Sequence, residues 1–318
     1  MSSTPLPILV ESVTKRFGDF TAVDEVSFEV PAGRIFGILG PNGAGKTTTI
    51  RMIMNITIPD SGRVLILGRP STEGASRRIG YLPEERGLYR RMKVLEHIVF
   101  LGEIRGIPAA ESKKRAAEWL ERVQLEKWAD KRVEELSKGM QQKIQFIGCA
   151  IHDPDILILD EPFSGLDPVN ALALKDLFLE FRQRGKTVVL CTHVMEQAEK
   201  LCDEVTVINR AKVVLRGPLD EVKRRYSGNR LILRGNGPED ALRALAGVRG
   251  LERHDGQVRV ELDPELNRGD FLREATRVWS IESAMPHEAS LDEIFIRVVG
   301  ESIEAVEAAA KMKEEAAV

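Results

Sequence analysis

The chain has 318 residues, with 46 Lys and Arg against 49 Asp and Glu and a formal charge of -3. At roughly 100–200 residues per domain this length suggests two domains, and the near-balance of charge excludes a coat for nucleic acid, which would need a strong basic excess. An apolar fraction of 43% is enough for a sizeable core and excludes disorder as the default. No apolar run reaches the roughly 18 residues a bilayer span needs, and Met1 to Val10 lacks the basic and then apolar pattern of a secretion signal. Cys149, Cys191 and Cys202 form no CxxC pair and are expected as free thiols of a reducing compartment.

In chain order, Leu9–Thr14 and Val26–Val30 are separated by a turn-containing segment, which predicts an N-terminal antiparallel β portion. Arg34–Leu39, Asp155–Leu159 and Thr187–Cys191 are short, unbroken apolar runs, as expected of parallel strands buried on both faces. Helical patterns at Lys46–Met54 and Val169–Arg184 alternate with them, so the core reads as α/β. The region about 94–150 is helical throughout, including Ser112–Val123 and Lys138–Ile151, and is expected as an insertion in that core. Ser227-Gly228-Asn229 signals a turn, which places a domain boundary at Tyr226. Beyond it the order strand (Arg230–Arg234), helix (Pro238–Leu245), two strands (Gly250–His254 and Gln257–Leu262), helix (Arg268–Val278) and strand (Trp279–Met285) is the ferredoxin-like βαββαβ pattern of a small α+β domain over 227–300. A helix is expected at Ser290–Val299, and a helical or fraying tail at 301–318. His254 and His287 stand alone in this half and are expected to be exposed.

The strongest chemical signal is Gly40-Pro41-Asn42-Gly43-Ala44-Gly45-Lys46-Thr47, which fits G-x-x-x-x-G-K-[ST] between a predicted strand and a predicted helix. Glycines let backbone N–H groups wrap phosphate oxygens, and the helix N-terminus adds its positive dipole end. Lys46 brings a point charge to the β- and γ-phosphates, and Thr47 a hydroxyl to Mg²⁺. Asp160 and Glu161 end the run Ile156–Leu159, at the sheet edge that carries the glycine-rich loop. Asp160 is placed to hold Mg²⁺ through water, and Glu161 to orient or deprotonate an attacking water. His193 follows the third parallel strand on the same edge, within reach of a γ-phosphate. Leu136-Ser-Lys-Gly-Met140 opens a helix with Ser137 as N-cap; the Ser137 hydroxyl, the Gly139 backbone and the helix N-terminus could also form a second anion site.

Together these segments resemble the nucleotide-binding subunit of an ABC transporter over about Pro7 to Tyr226. Gly40–Thr47 matches the Walker A motif, Ile156–Glu161 the Walker B motif with its catalytic glutamate, Leu136–Met140 the signature motif and Ser164–Asp167 the D-loop. His193 falls at the switch histidine, and Phe17 where the family places an aromatic that stacks on adenine. The resemblance implies ATP and Mg²⁺ as ligands, contacts from Thr48 and Asp167 besides those above, and a head-to-tail pairing with a second ATPase subunit, identical or not. In that pairing ATP lies between the glycine-rich loop of one chain and the Ser137 and Gly139 segment of the other. It also implies a separate transmembrane permease, on which the helical insertion docks, and a peripheral place on the cytoplasmic face of the membrane. The sequence departs from the pattern at Lys138 and Met140, where the signature motif has Gly and Gln, and at Glu84, where the family usually has a Gln. A carboxylate is the stronger oxygen ligand for Mg²⁺, so Glu84 is expected to sharpen the metal dependence of binding. The C-terminal domain is similar to an extra domain of exporter ATPases and implies a regulatory or dimer-stabilising module. A soluble ABC ATPase acting on ribosomes or nucleic acid is the alternative. The absence of a second ATPase half, of a long coiled-coil insertion and of a basic footprint counts against it.

Overall fold

The computed structural model describes residues 5–73, 77–85, 87–254 and 256–300. The tail expected at 301–318 lies outside these residues, as does the side chain of His254. The chain divides into two compact units, one ending at Pro218 and the other beginning at Leu219. The division falls before the turn at Ser227-Gly228-Asn229, because the amphipathic helix α7 (Leu219–Ser227) belongs with the second unit.

The first unit opens with a hairpin, β1 (Ile8–Phe17) and β2 (Phe20–Val30), turned at Gly18, which takes the positive φ of 58° that glycine tolerates. Both strands run longer than their apolar cores suggest, and they pair in the order β2-β1-β4-β5 with β4 (Ser61–Ile66) and β5 (Arg69–Pro70). A second sheet of six strands has the order β10-β9-β3-β8-β7-β6. Its members are β3 (Ile35–Leu39), β6 (Ile79–Leu82), β7 (Ile156–Asp160), β8 (Thr187–Thr192), β9 (Glu204–Asn209) and β10 (Lys212–Pro218). All pair in parallel except β10, which returns antiparallel to β9. Every residue of β3, β7 and β8 is buried, which accounts for their unbroken apolar sequences. Helices α1 (Lys46–Ile53), α5 (Pro168–Gln183) and α6 (Met195–Leu201) complete the α/β core.

The insertion consists of α2 (Val94–Ile104), α3 (Ala109–Arg122) and α4 (Lys138–Ala150). Helix α3 buries Ser112, Ala116 and Leu120, one residue per turn, and leaves its charged face in water. Trp119, Phe146, Phe178 and Phe181 interlock at centroid distances of 5.6–6.4 Å and tie α3 and α4 to α5.

His97 of α2 is wholly buried, neither ring nitrogen has a hydrogen-bond partner among the described residues, and burial lowers its pKa to about 4 from the ordinary 6.5. Its native pKa lies below its unfolded one, so the unfolded chain binds the extra proton between those values. Stability is therefore full above pH 6.5 and falls as the pH drops toward 4, by on the order of 3 kcal/mol for this group. Thermal melts from pH 7 to 4 should show a shallower decline for His97→Leu than for the parent; equal slopes would remove His97 as a cause.

The second unit carries β11 (Arg230–Asn236), α8 (Glu239–Arg243), β12 (Val248–His254), β13 (Gln257–Leu262), α9 (Arg268–Val278) and β14 (Ser280–Pro286). The chain order is βαββαβ and the antiparallel sheet order β12-β13-β11-β14, the ferredoxin-like arrangement. Leu231, Leu233, Val258, Val260, Phe271 and Trp279 form its core. A last helix, α10, covers 291–300 and starts with a capping box: Glu293 N–H donates to Ser290 Oγ, and Ser290 N–H to Glu293 Oε2. His287 is not exposed as its sequence context suggested. It is 5% exposed, because its ring faces Glu293 at 3.1 Å across the α10 cap.

Candidate nucleotide-binding site

Adjacent parallel strands all release their chain at one edge of the six-stranded sheet. From β3 comes the glycine-rich loop, from β8 His193, from β7 Asp160 and Glu161, and from β6 the segment holding Glu84. A site at the carboxyl edge of a parallel sheet follows from this topology.

The loop that follows β3 needs glycine where it bends. At Gly40 (φ 147°) a Cβ would lie 2.0 Å from the Ile208 carbonyl oxygen, and at Gly45 (φ 107°) one would lie 2.4 Å from that of Ala22. The loop bent in this way lines a cavity of about 340 Å³. Its walls include Asn42, Gly43, Gly45, Lys46, Thr47 and Thr48 of the loop and helix, together with Glu84, Glu161, Phe20 and Ala22. Gly40, Pro41 and Ala44 belong to the loop but are not among the residues lining the cavity. The Lys46 ammonium is folded back onto the loop, donating to Gly40 O at 2.8 Å and Pro41 O at 3.0 Å. Lys46 is only 6% exposed, so its charge is held in a poorly solvated place where an anion is attracted strongly.

Glu161 takes φ 48°, a left-handed conformation that costs a non-glycine residue about 1 kcal/mol or more. What holds it is a set of hydrogen bonds: its N–H donates to Cys191 O at 2.9 Å, and its Oε1 accepts from His193 N–H at 2.9 Å. Oε1 also meets His193 Nδ1 at 2.7 Å, and Oε2 accepts from Thr192 Oγ1 at 3.1 Å. His193 thus sits beside Glu161 rather than in the cavity wall, with close to half of its side chain exposed.

Asp160 lies beneath the cavity, 1% exposed, and burial raises its carboxyl pKa. The Cys191 thiol and Thr47 hydroxyl offset part of that effect, yet among the described residues neither carboxylate oxygen has a hydrogen bond of normal geometry. A buried carboxylate without a partner is costly. A hard divalent cation beside Thr47 would remove that cost, and Mg²⁺ is held in this manner by one or two carboxylates together with substrate phosphates. The residues present fit the ion: Asp160, the Thr47 hydroxyl and Glu84, whose charge is near enough to bear on Asp160.

The other expected residues lie apart. Ser137 caps α4, accepting from Met140 N–H at 3.3 Å, and is exposed beside Lys138. Gly139 is buried against Asn170, whose amide would be 2.4 Å from a Cβ there. Asp167 caps α5 through Val169 N–H and Asn170 N–H and receives the Asn170 amide at 2.6 Å. These bonds, the Asn170 N–H foremost, hold its carboxyl below the usual range. Ser137, Gly139 and Asp167 form a second constellation that does not line the cavity of their own chain. Phe17 is also outside the lining. The hairpin turn sets it opposite Phe20, and Phe20 is the aromatic that enters the cavity wall. Thr192 belongs to the site without being part of any motif; its signal in the sequence is a hydroxyl just before His193 at a strand end.

Fold and site define a P-loop nucleotide-binding protein of the ABC type. The family model for the ABC transporter domain matches residues 23–164, and that for the C-terminal domain of DrrA1-3-like ATP-binding proteins matches 217–299. The uncharacterized ABC transporter ATP-binding protein YhaQ of Bacillus subtilis is 40% identical over 92% of this chain and 98% of its own length. The Nod factor export ATP-binding protein I of Ralstonia nicotianae is 40% identical over 70% of each chain. A solved ATP-binding subunit of an ABC transporter superposes with a TM-score of 0.64 at 30% identity, over 69% of this chain and 92% of that one. A dimeric, post-hydrolysis ATP-binding cassette bound to ADP and Pi does so at 0.61 and 25%, over 67% and 98%. The chain belongs to the ATP-binding subunits of ABC transporters. Among its described residues no helix is long and apolar enough to cross a membrane.

Proposed function

We propose that this chain hydrolyses ATP with Mg²⁺ to drive export through a separate transmembrane permease, at the cytoplasmic face of the membrane. The observation that carries the reading is the Glu161 carboxylate, held by His193 and Thr192 at the cavity that Lys46 also lines. In this reading Lys46 and the loop N–H groups hold the β- and γ-phosphates. Glu161 accepts a proton from the attacking water, and His193 keeps that carboxylate aimed. Thr47, Asp160 and Glu84 would hold Mg²⁺, which when bound spreads the charge that develops on the phosphates. Phe20, with Phe17 behind it, offers a ring face to adenine.

Ser137, Gly139 and Asp167 act on a nucleotide bound in a second ATPase subunit, identical or not. Their distance from the cavity of their own chain supports this, as does the dimeric state of the similar cassette solved with ADP and Pi. Export is supported by the similarity to a Nod factor export ATP-binding protein and by the C-terminal match to DrrA1-3-like proteins, and the second unit is read as a regulatory or dimer-stabilising module. The alternative of action on ribosomes or nucleic acid is set aside, since the family is that of transporter subunits. Phosphate release from Mg²⁺ and ATP by the purified chain tests hydrolysis, and co-purification with a polytopic membrane protein tests the partner.

The metal assignment makes its own prediction. Glu84→Gln should bind ATP at least as well as the parent without metal, since a carboxylate that repels the γ-phosphate is gone, but gain less from Mg²⁺, by about 5-fold, as the loss of one charged oxygen ligand implies. Nucleotide titrations with and without Mg²⁺ read this directly, and an unchanged metal dependence would remove Glu84 from the site.

A further inference from the structure

We propose that Gln145 is a positioning residue: from helix α4 it fixes the backbone on both sides of Glu84, and so sets where that carboxylate stands at the nucleotide cavity. Strand β6 ends at Leu82, so Glu84 lies beyond the last ladder bond, on an exposed turn. The Gln145 amide nitrogen donates to Pro83 O at 3.1 Å and to Glu85 O at 3.3 Å, bracketing Glu84. Gln145 is 8% exposed, and among the described residues its Oε1 has no partner. A side chain present for packing alone would not keep an unmet buried acceptor, so it is the two donated bonds that account for an amide here.

The helix that carries Gln145 is itself well seated. A Cβ at Gly80 would fall 2.1 Å from Cys149 O, and one at Gly148 would fall 2.4 Å from Leu101 Cδ1, so α4 meets β6 and α2 at close range. One turn before Gln145, on the same face, the Gln142 amide donates to Pro162 O at 3.1 Å, next to Glu161. A single helix thereby steadies the backbone beside both cavity carboxylates, while its N-terminus presents Ser137. A shift of α4, such as engagement of Ser137 by a second subunit would impose, is carried to Glu84 through two hydrogen bonds. This last consequence rests on the reading of Glu84 as a metal ligand.

The test is amide hydrogen exchange in the full chain, with Gln145→Met, which keeps the volume and removes the donors, and Gln145→Asn, which keeps an amide one methylene too short. Exchange at Glu84 and Glu85 should rise about 5-fold in either variant, while the peptides of β6 and α4 keep their protection. Asn serves alone if Met does not fold. No rise at these residues, or an equal rise across β6 and α4, overturns the proposal. In parallel, Mg²⁺ titrations of ATP binding should show Gln145→Met losing metal-assisted affinity only, with no further loss when it is combined with Glu84→Gln. If exchange rises while Gln145→Met and Glu84→Gln both leave the metal dependence unchanged, the positioning role stands and the metal reading of Glu84 fails.

Discussion

Glu161→Gln is expected to lower ATP turnover by at least about 100-fold while leaving ATP binding intact, the range that loss of a general base gives. The amide is the same size: its oxygen can still accept from His193 N–H while its NH2 donates to Thr192 Oγ1, so the strained backbone at φ 48° keeps its support. What is lost is the ability to take a proton from water. The bound nucleotide then persists, and with it the interface it completes, so the variant should accumulate as an ATP-bound dimer in sedimentation. His193→Ala should lower turnover in the same direction with less effect, since Thr192 and the His193 backbone still hold the carboxylate. Normal hydrolysis by Glu161→Gln would remove Glu161 from the role of base.

Lys46→Ala should act on the earlier step and weaken ATP binding by about 100-fold, as loss of two charge-assisted hydrogen bonds to phosphate implies. The ammonium also donates to Gly40 O and Pro41 O, so the substitution loosens the loop itself. Lys46→Met keeps the apolar stem and separates the two effects. Both variants should lose affinity, and Met should keep the melting temperature closer to that of the parent. Isothermal titration and thermal melts measure the pair. Parental affinity in Lys46→Met would mean that the phosphates lie elsewhere.

Much of this site could be read before the fold, because the P-loop motif is local: glycines at fixed spacing, a Lys and a Thr between one strand and one helix. Asp160, Glu161 and His193 were legible as the polar ends of apolar runs, once those runs were taken as neighbours in a parallel sheet. Other parts depend on partners far along the chain. Gln142 and Gln145 meet carbonyls 20 and 60–62 residues away, and nothing in their own helix announces it. Which of Phe17 and Phe20 enters the cavity is decided by the hairpin turn between them, and both residues suit either place. Strand β6 gives no clear sequence signal, since only four residues, Ile79–Leu82, carry it and its burial comes from β7 and α4. His287 stands only six residues from Glu293, but the turn before α10 is what brings the pair together.

The central claim is that one chain supplies the cavity and another supplies Ser137 and Gly139 to the same nucleotide. The rate of ATP hydrolysis per chain, followed over a dilution series at saturating Mg²⁺ and ATP, tests it most directly. Dependence on a shared site predicts a specific rate that rises with protein concentration and then levels as dimers form. A specific rate that stays constant down to concentrations where sedimentation finds only monomer would contradict it.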